Sequence, residues 1–346
     1  MTLRNSTYGK GLIAGSAIIA VALFAQAPKM QRTEDVKAAV DEAYDMFKND
    51  TGGKNADYIP ALAAVDSKLY GITVVTNDNQ VYSRGDTVQL FSIQSISKVF
   101  SLGLAMEELG ADEVFAKIGS EATGRPFNSV PAVVDMPTHT GNPFVNAGAI
   151  ATVSLLRGTP SEKWDRIMDF YSKAAGEQLT VLDDIYKSEA ATNQGNRALA
   201  ALLLKYERIY ADPLQSVDVY TKQCSVGVNA KQLATMAATL ANNGVNPVTG
   251  ARVMKAENVP QILATMATAG LYDGSGGWAW HVGLPAKSGV GGGIIAVIPG
   301  KGAIAVFAPP LDEAGNSVKA QKAIAHIAQR LNYNLYSPNS VALGKG

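Results

Sequence analysis

Ser95-Ile96-Ser97-Lys98 places a hydroxyl and an amine three residues apart, where an apolar strand-like run gives way to a helix-like one. Residues three apart share a face of a helical turn, so the lysine can reach the serine hydroxyl and take its proton. That is a nucleophile and a base on one turn, the minimal equipment for acyl transfer. Alone, the spacing is equally a solvated helix start. A second cluster lifts it above that reading: Lys287-Ser288-Gly289 directly precedes the apolar run 292–298. Glycines at 289, 291, 292 and 293 would let a substrate lie close to that strand's backbone. They lead into a strand and not a helix, which argues against a phosphate-cradling loop.

A lysine base must be neutral. From a free value of ~10.4, neutrality at pH 7 requires about 4.6 kcal/mol of disfavour for the ammonium. Burial plus a nearby cation reaches that size, and Lys287 is the expected cation if the cleft closes around both lysines.

The elements that must position these groups fall into three stretches. Residues 33–47 carry Val36, Val40, Ala43 and Phe47 on one helical face, with Thr33 placed to cap and Glu34 and Asp35 in the first turn. Residues 70–76 and 80–83 flank Asn77-Asp78-Asn79 and read as a hairpin. An apolar helix follows over 99–109 and stops at Gly110. From 111 to about 260 the signal is mostly helical, with helices expected at 161–175, 191–211 and 230–243. Strand signal returns at 292–298 and 303–308, around Pro299-Gly300-Lys301-Gly302, followed by an amphipathic helix over 316–331 and a polar, loose tail from Asn332. The chain ends therefore build one antiparallel sheet flanked by helices, and a helical lobe is inserted between them. The fold class is α/β in the α+β sense, with a cleft at the junction.

The 346 residues carry 47% hydrophobic side chains, enough for a sizeable core, and a net charge of zero. A neutral balance predicts no nucleic-acid partner. The single cysteine, Cys224, excludes an intramolecular disulfide and a cysteine-rich metal site. Residues 1–27 read as a signal peptide: Arg4 and Lys10, an apolar stretch 11–24, then Ala25-Gln26-Ala27. The apolar run is short of the ~20 residues of a comfortable membrane span, so cleavage after Ala27 and a periplasmic or secreted destination are expected, an uncleaved inner-membrane anchor being the alternative. Residues 28–346 then form a single domain.

The pair Ser-x-x-Lys and Lys-Ser-Gly resembles the penicillin-binding and β-lactamase serine enzymes, but no Ser-Asp-Asn lies between them. Six blocks in order resemble another family more closely. They are Asp57-Tyr58-Ile59-Pro60, the stretch 91–98, the stretch 142–150, Glu189 with Asn196, the stretch 220–225, and the stretch 271–290 ending His281-Val-Gly-Leu-Pro-Ala-Lys-Ser-Gly-Val290. Together they resemble the serine-dependent glutaminases, which share the β-lactamase/transpeptidase-like fold. The resemblance implies Ser95 as nucleophile, Lys98 as base and Tyr272 as proton shuttle. It implies that Tyr58, Gln94, Ser95, Asn146, Glu189, Asn196, Tyr220, Tyr272 and Val290 contact an L-glutamine substrate, with Lys287 and Ser288 in support. It also implies a homo-oligomer, dimer or tetramer, with no cofactor and no metal.

The residue types agree with that assignment. Glu189 suits an α-ammonium, and Asn146, Asn196 and tyrosine hydroxyls can bind an α-carboxylate. Backbone N–H groups of Ser95 and Val290 could form an oxyanion hole. Each residue also has a plainer reading. Glu189 and Asn196, seven apart, would lie on one face of a solvated helix. Tyr58, Tyr220 and Tyr272 would be packing residues, Asn146 a turn residue and Cys224 a small buried hydrophobe. His139, His281 and His326 have no ligand-like spacing and read as structural. Two other functions remain open from sequence: a periplasmic penicillin-interactive hydrolase or peptidase, and a non-catalytic amino-acid-binding module.

Overall fold

The structure is a computed structural model that describes residues 33–337; the signal peptide expected at 1–27 lies outside them. In chain order come α1 (Thr33–Phe47), the hairpin β1 (Gly71–Thr76) and β2 (Val81–Gly85), β3 (Phe91–Ser92), α2 (Ser97–Leu109), α3 (Asn146–Leu155), α4 (Pro160–Ala175) and β4 (Thr180–Val181). Then follow α5 (Asp183–Ala191), α6 (Gln194–Lys205), α7 (Pro213–Cys224), β5 (Val226–Val228), α8 (Ala230–Ala241), α9 (Val259–Ala269), β6 (Ala286–Gly289), β7 (Gly293–Ile298), β8 (Gly302–Phe307) and α10 (Val318–Arg330).

The main sheet has the order β2-β1-β8-β7-β6, antiparallel throughout, so strands from the two ends of the chain pair directly, as expected. Its apolar strands are explained by burial on both faces. Successive side chains point to opposite sides, and Ile72, Val74, Ile294, Ile304 and Val306 pack with Val36 and Val40 of α1 and Ile324 of α10. Val75, Ile295, Val297, Ala305 and Phe307 pack instead with Leu233 and Ala237 of α8. Each face removes large aliphatic area from water at about 25 cal/mol per Å². A three-stranded sheet, β3-β5-β4, sits apart and holds the start of the nucleophile stretch: Phe91 pairs with Val228 and Ser92 with Gly227.

Three expectations are corrected, and one helix is added. The helix expected over 191–211 runs only over Gln194–Lys205, and a break at Thr192–Asn193 separates it from α5, so Glu189 and Asn196 lie on different helices. Asn146, read as a turn residue, opens α3. That helix is buried on all sides and shows no amphipathic period. Its Gly148 is obligatory, because a Cβ there would stand 1.9 Å from the carbonyl oxygen of Asn142. α7 was not foreseen, although Asp212 before Pro213 is a start signal; the Asp212 side chain accepts from the N–H of Gln215. The segment 332–337 is docked, not loose: Tyr333 is buried, and the Leu335 N–H donates to the Gly283 carbonyl.

Candidate active site

Ser95 sits in the single 3₁₀ turn Gln94–Ile96 that joins β3 to α2, and it is buried to 5% exposure. The residue before it holds an unusual backbone: Gln94 has φ +48°. A non-glycine residue in the left-handed region costs on the order of 1–3 kcal/mol and persists only where its surroundings impose it. Here the Gln94 amide is tied at both sides, donating to Ser92 Oγ at 3.2 Å and to Glu189 Oε2 at 3.1 Å. The end of β6 presses on the same turn. A Cβ on Gly289 would lie 2.8 Å from the Ile93 carbonyl oxygen and 3.3 Å from the Ser95 nitrogen. The glycine there thus admits the chain's own nucleophile turn, and not the substrate that the sequence suggested. Val290 follows directly. Among the described residues, neither its N–H nor that of Ser95 donates to another protein group.

Lys98, the second residue of α2 and one turn on from Ser95, is fully buried. Its Nζ donates to Asn146 Oδ1 at 2.7 Å and to the Phe144 carbonyl at 3.3 Å; among the described residues no Lys98–Ser95 hydrogen bond is made. Burial pushes its pKa down to about 8, against the opposing pull of the Glu189 carboxylate. Lys98 therefore gives up its proton far more readily near neutral pH than a free lysine does. The cation expected at Lys287 is opposed by its surroundings: burial first, then the nearby Lys98 charge, lower its pKa well below the lysine range. Its Nζ instead donates to the Gly270 and Ser288 carbonyls at 2.9 and 2.7 Å, 4.0 Å above the Tyr272 ring.

Tyr272 has φ +56°, the second strained backbone at this cleft. Its turn is pinned by Ser275, whose hydroxyl donates to the Tyr272 carbonyl at 2.7 Å and accepts from the Leu271 N–H. The phenol lies beside Ser95 and donates to the Ser288 carbonyl at 3.2 Å; burial raises its pKa. Ser288 contributes that backbone oxygen, while its own hydroxyl is buried without a partner.

The opposite wall is assembled from four helices. Asn146 at the start of α3 is its hub. Its Oδ1 accepts from Lys98 and, at 3.0 Å, from the Tyr220 hydroxyl of α7; its Nδ2 donates to Asn196 Oδ1 of α6 at 2.9 Å. Two donors on one atom fix the amide orientation. Glu189, near the end of α5, is buried. Desolvation raises its pKa to about 7, with the Gln94 hydrogen bond and the Lys98 charge pulling the other way. An arriving ammonium would restore the carboxylate its counter-charge.

These side chains enclose a cavity of about 100 Å³. Tyr58, Gln94, Ser95, Asn146, Glu189 and Asn196 line it, as do Tyr220 and Val290, with Tyr58 half exposed at the mouth. Lys98, Tyr272 and Lys287 stand behind the lining. Sequence reasoning missed Phe127, Asn128, Thr192 and Asn193, which also line it. Asn193 lies at the α5–α6 break, where a helix stop was legible only by abandoning the long helix; Phe127 and Asn128 sit in a loop with no pattern of their own. No histidine lines the cavity, and no group of three metal-ligating side chains occurs among the described residues.

Residues 53–336 match the family model for glutaminase. A glutaminase of Colwellia psychrerythraea is 56% identical over 302 residues, covering 87% of this chain and 97% of its own. The chain belongs to the glutaminase family. Glutaminase 1 of Escherichia coli O6:H1 is 50% identical over 305 residues, covering 87% of this chain and 97% of that one. A solved structure of a probable glutaminase superposes with TM-score 0.87 at 49% identity, over 89% of this chain and all of the other. Probable glutaminase from Bacillus subtilis, solved in complex with 6-diazo-5-oxo-L-norleucine, superposes with TM-score 0.77 at 30% identity, over 89% of this chain and 98% of that one. The fold is β-lactamase-like, as the motif order implied. The chain is a hydrolase of L-glutamine, yielding L-glutamate and ammonia.

Proposed function

We propose that this hydrolysis runs through a glutamyl ester on Ser95, with Lys98 as base and Tyr272 as proton shuttle. The observation that carries the reading is the enclosure of Ser95 by two differently equipped walls. One holds a fully buried lysine with a lowered pKa one turn away and a tyrosine beside the serine. The other holds Glu189 and the amides of Asn146 and Asn196. Glutamine binds with its ammonium on Glu189 and its carboxylate on Asn146, Asn196 and Tyr220, which leaves the side-chain amide at Ser95. Neutral Lys98 takes the Ser95 proton as Oγ attacks the amide carbon. The developing oxyanion lies against the N–H groups of Ser95 and Val290, an interaction worth ~3–4 kcal/mol. Tyr272 passes a proton to the leaving nitrogen, ammonia departs, and water hydrolyses the ester. Tyr58 and Gln94 close the mouth and floor, and Lys287 and Ser288 hold Tyr272 in place.

Ammonia release from L-glutamine, with L-asparagine and a chromogenic β-lactam in parallel, tests this. Turnover of glutamine that is lost in Ser95→Ala and Lys98→Ala supports it. Unchanged turnover in Ser95→Ala, or acylation by the β-lactam alone, overturns it.

Two further readings rest on sequence alone. The chain is exported and cleaved after Ala27, on the strength of its basic, apolar and Ala-x-Ala segments. It assembles as a homo-oligomer, as the family resemblance implies. The N-terminal mass of protein recovered from the envelope fraction and sedimentation equilibrium check the two; an intact N-terminus or a monomer contradicts the respective reading.

A further inference from the structure

The cleft has a second chamber. A cavity of about 680 Å³ adjoins it, and the two share Tyr58, Phe127, Asn128 and Val290. None of the residues that recognise the amino-acid head group lines this outer space: Glu189, Asn146, Asn196 and Tyr220 belong to the inner cavity alone. In the binding mode proposed above, the shared wall therefore faces the scissile end. Val290 stands there, and Gly315 of the outer chamber lies against the chemistry. A Cβ at Gly315 would come within 3.4 Å of Phe127, 3.6 Å of Val290 and 3.8 Å of the Tyr272 ring. A glutamine held by its head group points its amide nitrogen toward this passage, and any substituent on that nitrogen enters the outer chamber.

Charge selects the substituent. Asp57, Asp273, Asp312 and Glu313 line the chamber against a single base, Lys54. Lys54 is already paired with Asp57 at 2.5 Å. Asp312 is engaged by the Asn316 N–H and the Gln321 amide, neither of which cancels its charge. The surplus is negative. It opposes the carboxylate of a γ-glutamyl peptide and attracts a second ammonium.

We propose, resting on the glutaminase reading of the inner cleft, that the same site hydrolyses N-substituted L-glutamines whose leaving amine carries a positive charge, the γ-glutamyl amides of small diamines. Ser95 Oγ bonds to the γ-carbonyl carbon. The carbon–nitrogen bond breaks, and the nitrogen takes the proton relayed from Ser95 and leaves as a primary amine. Water then converts the ester to L-glutamate. No co-reactant beyond water enters.

The test compares L-glutamine, γ-glutamyl-1,4-diaminobutane and the neutral γ-glutamyl-butylamide on the purified protein, reading glutamate release. Three variants probe the chamber: Glu313→Gln, Asp273→Asn combined with Glu313→Gln, and Ala314→Phe, which fills the space. The expected result is turnover of the diamine amide with a kcat/KM several-fold above that of the butylamide. The double variant should erase that preference and leave glutamine within about twofold. Ala314→Phe should lower both substituted amides at least tenfold and spare glutamine, which also shows that the variant folds. Glutamine turnover without release from either substituted amide overturns the inference and leaves the glutaminase reading intact. Equal loss on all three substrates in Ala314→Phe, or an equal effect of the double variant on charged and neutral amides, overturns it as well. Absence of glutamine turnover in the wild-type protein would sink the underlying reading instead.

Discussion

The two walls of the cleft are built in opposite ways. The catalytic wall is local: Ser95 and Lys98 come from one turn, and Tyr272 and Lys287 are fixed through Gly270 and Ser288, close by in the fold. The recognition wall is assembled from α3, α5, α6 and α7, whose contributing residues span Asn146 to Tyr220. The difference teaches where each kind of energy is stored. The catalytic wall carries a buried lysine with a depressed pKa and two left-handed backbones. The recognition wall carries a satisfied hydrogen-bond hub whose cost is met by packing. Substitutions should separate accordingly, chemistry on one side and binding on the other.

The largest expected effect is Ser95→Ala, which should lower kcat by about 10⁴-fold or more with glutamate binding retained, by analogy with removal of a serine nucleophile elsewhere. Steady-state ammonia release and calorimetric titration with glutamate check the two halves. Next is Lys98→Met, with kcat down on the order of 10³-fold, as for loss of a positioned base. The same change should raise Tm by several degrees at pH 7. A fully buried lysine lowered from 10.5 to about 8 penalises the folded state by about 3 kcal/mol wherever its ammonium persists. The sign follows from a folded value below the unfolded one: the penalty is complete below pH 8 and fades as pH rises toward the unfolded value. A fall in Tm would show that the Asn146 and Phe144 bonds outweigh desolvation.

Glu189→Gln should raise KM on the order of 10²-fold, equivalent to about 3 kcal/mol for one partner of a buried ion pair, with a smaller change in kcat. An effect confined to kcat would erase the distinction between the walls. Asn146→Ala sharpens it, because Asn146 belongs to the recognition wall and also holds Lys98; kcat and KM should each move about tenfold. The smallest effect is a displacement of the pH profile. Wild-type kcat/KM should rise as Glu189 ionises near pH 7 and Lys98 loses its proton near pH 8. In Glu189→Gln the carboxylate that raises the Lys98 value is gone, so the remaining limb should shift to lower pH. A shift to higher pH would contradict the coupling.

What was legible in the sequence follows the same division. The hairpin, the returning strands and the flanking helices showed because they are amphipathic or turn-bounded. Ser95, Lys98 and Lys287-Ser288-Gly289 showed because their chemistry is contiguous. The recognition residues were reached only through the order of the family's blocks, since nothing local brings Asn146 to Asn196 and Tyr220. α3 was missed because a helix buried all round has no period, and its Gly148 answers to the Asn142 carbonyl, a tertiary contact. The setting of Lys287 was hidden for a related reason. Its burial and its position over Tyr272 come from the assembled cleft, and burial lowers its pKa.

The central claim is that Ser95 carries the glutamyl group while a neutral Lys98 serves it. The most direct measurement is peptide-level mass spectrometry after reaction with a glutamine analogue bearing a diazoketone in place of the side-chain amide. The account predicts one label per chain, on Ser95, forming faster as pH rises through about 8 and absent in Ser95→Ala. Labelling of another residue, or equal labelling of Ser95→Ala, would contradict it.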